Sequence, residues 1–168
     1  MAARAIVGIA LGMLFAPVIY LLVIGAQFPA FFSTPETYFL NWITGITTDF
    51  NNFLMSYASA GMFALQVPLI SLFSPLLGLG QWLSWFIAGM ITWAIIGMWA
   101  GAIERSAGRG IGVAVGVWLG WIIIELIFMA VTGSIALFLA ALLDQWFGVV
   151  IAIIFAAIFG AITKSEEF

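Results

Sequence analysis

Residues 111–132 read IGVAVGVWLGWIIIELIFMAVT, and Glu125 is the one charged side chain among them. A helix needs about 20 mostly apolar residues to cross the hydrocarbon core of a bilayer, so this stretch is long enough to span it. Three more stretches have the same character, at about 5–28, 82–103 and 147–163. The composition agrees. The chain has 168 residues, 65% of them hydrophobic and 7% charged, with sixteen Phe, eight Trp and eighteen Gly. Its mean hydropathy is +1.27. An ordinary soluble domain is about 25% charged, and a soluble fold of this size could not hide so much apolar surface. The sequence therefore predicts an all-α integral membrane protein with four transmembrane helices, forming a single membrane domain over 1–168.

The four basic residues set the expected orientation. Arg4, Arg105, Arg109 and Lys164 all fall on one side of a four-span chain, while Glu36, Asp49 and Asp144 fall on the other. Basic residues in short loops mark the cytoplasmic side, which puts both termini in the cytoplasm, with the cell (plasma) membrane as the expected location. A fifth crossing at 54–77 would move Arg105 and Arg109 outside, and a sixth over 37–52 would be studded with Asn and Thr. Arg4 before an apolar run has the look of a secretory signal, but the run is longer than a signal's apolar region, so it is expected to stay as a span.

Between the first two spans the chain does more than turn. Ser33-Thr34-Pro35-Glu36 has the marks of a helix start. Beyond it Phe39, Trp42, Ile43, Ile46, Phe50, Phe53 and Leu54 recur at helical spacing, opposite Asn41, Thr44, Thr48, Asn51 and Asn52. This predicts an outer amphipathic helix lying at the interface or capping the bundle. Residues 62–80 are apolar but broken by Pro68, Pro75 and Gly78-Leu79-Gly80, which reads as a re-entrant or interfacial segment.

Three matched pairs of motifs, in the same order, point to an internal duplication. Gly8-Ile9-Ala10-Leu11-Gly12 matches Gly112-Val113-Ala114-Val115-Gly116, and Ile70-Ser71-Leu72-Phe73 before Gln81-Trp82 matches Ile135-Ala136-Leu137-Phe138 before Gln145-Trp146. Gly101-Ala102-Ile103-Glu104-Arg105-Ser106 matches Gly160-Ala161-Ile162-Thr163-Lys164-Ser165. The expected units are two parallel helical hairpins, 4–106 with an outer insertion at about 30–68, and 109–165. Trp82 and Trp146 are expected as interfacial anchors at the outer start of each returning helix.

Helices in lipid associate through small residues that let backbones approach. Gly8, Gly12 and Ala16 on the first span, and Gly112, Gly116 and Gly120 on the third, form such seams and are the expected helix-packing residues. Gly89, Gly97 and Gly101 share a stripe on the second span, and Ala157, Gly160 and Ala161 cluster on the fourth.

Glu125 is the candidate functional residue. It lies roughly 22 Å into a core about 30 Å thick. An ionised carboxylate there costs a few kcal/mol or more without a partner, and no Lys or Arg lies at that depth. The neutral acid can donate a hydrogen bond, with Thr92, Tyr20, Gln66 or a backbone carbonyl as candidate acceptors. At 100° per residue Glu125 lies roughly 140° to 220° from the glycines of its own span. The third span is thus expected to be covered on two sides, either as the central helix or through a second subunit.

Other chemistry finds little support. The chain has no His and no Cys, which excludes disulfides, Fe–S and zinc sites, and Ser-His-Asp or Cys-His nucleophiles. No catalytic residues, metal or cofactor are expected, and the chain is not expected to be an enzyme by itself. The net charge is −3 with no basic run, so nucleic acid is not an expected partner. Membrane lipids and other membrane-protein subunits are. Two functions remain: a structural or accessory subunit of a larger membrane complex, or a small oligomeric transporter or channel with Glu125 as its proton or cation site.

Overall fold

The computed structural model describes residues 2–27, 44–65, 79–131 and 135–164. All its regular structure there is helical: α1 (Ala2–Gln27), α2 (Phe50–Leu65), α3 (Leu79–Glu104), α4 (Ala107–Val131) and α5 (Ile135–Lys164). Four of these contain stretches long and apolar enough to cross a membrane: Ala3–Ile24, Trp85–Glu104, Ala107–Val131 and Gln145–Lys164. The chain is a polytopic helical membrane protein.

The distribution of side chains fits that solvent. The buried core is rich in small residues, with Ala16, Ala88, Ala100, Ala114, Ala152 and Ala156 fully buried, while Ile6, Phe15, Ile123, Ile127, Ile154 and Ile158 face outward. In lipid, burying a large aliphatic side chain gains little over leaving it among acyl chains. Close backbone contact then decides which face turns inward.

α3 and α4 pack together at the centre, α1 lies against both on one side and α5 against both on the other. The link between α3 and α4 is only Arg105 and Ser106, and Arg105 turns the chain with φ 45°. Arg4, Arg105, Arg109 and Lys164 all sit at this end of the bundle, where α1 and α4 begin and α3 and α5 end.

Two seams hold the spans. Between α1 and α4, Gly8 and Gly12 face Val113 and Val117, while Gly116 and Gly120 receive Ile9 and Met13. Ala16 is fully buried. Gly112 stands apart from this seam, because a Cβ built on it has nothing within 4 Å. Between α3 and α5 the contact is backbone on backbone. Gly97 meets Ala152, and Gly101 meets Ala156 and the Gly160 nitrogen, which a Cβ would approach to 2.7 Å.

Two elements differ from the sequence expectation. α5 begins at Ile135, well before the expected start near 147. Residues 135–143 hold only Ile, Ala, Leu and Phe, good or tolerable helix formers with no Gly or Pro to stop the helix. The helix starting at Phe50 also runs on to Leu65, past the expected end of the outer amphipathic helix. Its small residues carry it into the bundle: Ala60 packs with Leu21, Ala64 with Tyr20 and Ala88, and Gly61 lies under the Trp121 ring. The earlier part of the expected amphipathic helix, up to residue 43, lies outside the described residues. So does 66–78 of the expected re-entrant segment; Met62 to Leu65 belong to α2.

Candidate functional site

Glu125 sits eighteen residues into α4, about 27 Å from its start and about 9 Å from its end at 1.5 Å per residue. Its side chain is fully buried, as is that of Gln145 on α5. The Gln145 amide Nε2 donates to Glu125 Oε2 at 2.5 Å. Two turns back on α4, Trp118 Nε1 donates to the backbone carbonyl of Gln145 at 3.2 Å. The same stretch of α5 is thus held by α4 through both its side chain and its backbone.

Three polar atoms here are buried without a hydrogen-bond partner: Glu125 Oε1, Gln145 Oε1 and Trp121 Nε1. Trp121 is on the same helix face, four residues before Glu125, and its ring packs beside Tyr57 with centroids 6.1 Å apart. On the α3 side Phe86 stacks on Phe147, two residues beyond Gln145, at 6.0 Å.

The acceptors that the sequence offered to Glu125 are otherwise placed. The Thr92 hydroxyl donates to its own helix, to the Ala88 carbonyl at 2.7 Å. Tyr20 is buried against Ala64 and Ala88, and Gln66 lies outside the described residues. Gln145 was missed because the expected fourth span began after it, so Gln145-Trp146 read as an interface marker. The apolar run at 135–143 was the available signal that the helix starts earlier. Trp146 accordingly lies inside α5, about half exposed and edge-on to Phe147. Trp82 lies in the first turn of α3, and its side chain is outside the described ones.

Two other polar ties join α2 to the spans. Pro17 has no N–H, so the Met13 carbonyl four residues earlier loses its helical donor. The Tyr57 hydroxyl comes to that point, donating to the Leu14 carbonyl at 2.5 Å and lying 3.3 Å from the Met13 oxygen. Trp93, fully buried in α3 and resting on Gly148, donates its Nε1–H to the Ala64 carbonyl at 2.7 Å. A recess of 220 Å³ lined by Phe15, Ile19, Ile95, Ile96 and Trp99 opens between α1 and α3, and its lining is apolar.

Chemically, the site offers one carboxyl and one carboxamide in contact within an apolar bundle. Among the described residues, no three His, Cys, Asp or Glu side chains come together. Comparison of the chain with protein-family models, with curated proteins and with solved structures finds no match.

Proposed function

We propose that the chain is a structural or accessory subunit of a larger membrane complex, with no catalysis of its own. The observation that carries this reading is how the buried polar groups are used. Glu125 with Gln145, Tyr57 with the α1 carbonyls, and Trp93 with Ala64 each tie one helix to another. Polar groups spent this way hold a scaffold together. The large aliphatic and aromatic side chains on the outside offer contact to lipid acyl chains or to helices of neighbouring subunits. In this reading the chain is built as two parallel hairpins, 4–106 and 109–165, with the amphipathic and re-entrant segments inserted between the two spans of the first. Both termini face the cytoplasm, in the cell membrane, on the side that takes the four basic residues.

A second reading is favoured by one observation, the two unpartnered buried oxygens of Glu125 and Gln145. Ionisable groups inside membranes often mark proton or cation paths, and a small oligomeric transporter or channel using Glu125 would place such a path here. Native mass spectrometry of the source membrane in mild detergent separates the two. Stoichiometric co-release with other subunits supports the accessory reading. Release alone or as a homo-oligomer refutes it, and proton or cation flux with Glu125→Gln is then the measurement to make.

A further inference from the structure

The Glu125–Gln145 contact holds one more piece of chemistry. Gln145 supplies one N–H to Glu125 Oε2. That leaves Glu125 Oε1 and Gln145 Oε1 buried as acceptors with nothing donating to them. Two orphaned acceptors in one buried contact are costly. A carboxylic acid and a primary carboxamide can meet through two hydrogen bonds, N–H to C=O one way and O–H to O=C the other. One proton on Glu125 Oε1 changes that atom from an acceptor without a donor into a donor, and the Gln145 oxygen is the acceptor in the same contact.

We propose that Glu125 is a proton-binding site, holding its proton on Oε1 and donating it to Gln145 Oε1, so that α4 and α5 are joined by a two-bond acid–amide clasp. The surroundings fit a proton better than a metal cation. Two free oxygens are few for sodium or another hard ion, which takes several oxygen ligands, and the other unpartnered buried polar atom on this face of α4 is the Trp121 N–H, a donor. The polar side chains already described on the packed helices are neutral: Thr92 on α3, its hydroxyl committed to Ala88, Tyr57 on α2 and Tyr20 on α1. The four basic residues are at the far end of the bundle. This inference holds under either reading of the function, because it concerns what occupies the carboxyl and not what the chain assembles with.

Infrared spectroscopy of the full chain in lipid at neutral pH tests it. The carbonyl stretch of a protonated carboxylic acid is separate from carboxylate bands, and it should be present, shift down in deuterium oxide, and vanish in Glu125→Gln. That variant should keep its fold, since a carboxamide presents the same donor and acceptor as the protonated acid. In Gln145→Leu the band should move up, as its carbonyl loses the Nε2 donor. The wild-type deuterium shift needs no variant. Carboxylate bands alone at neutral pH overturn the proposal. So does an acid band that Glu125→Gln leaves in place, and so does one that sodium chloride removes while potassium chloride does not.

Discussion

Replacing Gly101 with Ala should loosen the α3–α5 contact, and the structure sets the size of the effect. The added Cβ would come 2.7 Å from the Gly160 nitrogen and 3.1 Å from the Ala156 carbonyl carbon, and closer still to the Ala156 oxygen. These are backbone atoms of a helix, so no rotamer change relieves them. The helices must part by more than about 0.7 Å, since that much only brings the 2.7 Å approach to the 3.4 Å at which ordinary contact begins and the Ala156 oxygen starts closer. A gap of this size forfeits about a quarter to a half of each nearby dispersion contact, and Gly97 on Ala152, one turn along, opens with it. Overpacking of this kind costs about 1–3 kcal/mol, while the helix preference for Ala over Gly returns up to about 1 kcal/mol. A net loss of about 1–2 kcal/mol should lower the midpoint of thermal unfolding in detergent by roughly 2–8 °C, read through tryptophan fluorescence. Gly112→Ala is the control. Nothing lies within 4 Å of its Cβ, so it should be neutral or slightly stabilising. A Gly101→Ala midpoint at or above the wild type, or a Gly112→Ala loss as large, would refute the packing described here.

Tyr57→Phe should cost about 1 kcal/mol by leaving the carbonyls near Pro17 without their donor. In a Pro17→Ala background, where the Met13 carbonyl regains a helical donor, the same change should cost measurably less, and a double-mutant cycle in chemical unfolding reads the difference. Gln145→Leu removes the partner of Glu125 and should destabilise by about 1–3 kcal/mol. Equal stability to wild type would show that the pair carries nothing. Arg105 holds φ 45°, which a β-branched side chain strongly resists. Arg105→Val should therefore cost about 1–2 kcal/mol of stability, read as a lower unfolding midpoint, while Arg105→Gly should cost less or nothing.

The spans were readable because membrane crossing is a matter of length and hydropathy along one segment. Residues 111–132 announce themselves without reference to any other part of the chain. The α1–α4 seam was partly readable, since Gly8, Gly12, Gly116 and Gly120 repeat at the spacing that keeps them on one face. Gly112 repeats at that spacing too, yet a Cβ there would meet nothing within 4 Å while its neighbour Val113 lies against Gly8, and which residue of a turn meets the partner depends on both helices. The partner of Glu125 was harder still. Choosing Gln145 over Thr92 or Tyr20 requires knowing that α5 starts at Ile135 and that Thr92 turns back on its own helix. Neither fact is local to Glu125. The bounds of α2 were not readable, because it runs across the expected boundary near Leu54, and small residues such as Gly61 mark a docking surface only once the ring that covers them is known.

That position of α2 has a consequence for how the chain comes together as it is made. The ring that covers Gly61 belongs to Trp121, and the donor for the Ala64 carbonyl is Trp93, 29 residues further on. When α2 leaves the ribosome, neither of its receivers has yet followed it out. Its seat against the spans is complete only after α3 and α4 have entered the bilayer, so α2 must wait outside the finished contact and dock late. The chain contains no cysteine of its own. A single cysteine placed at Ala64 would therefore report, through its reactivity in ribosome-bound chains of increasing length, the moment at which that seat closes.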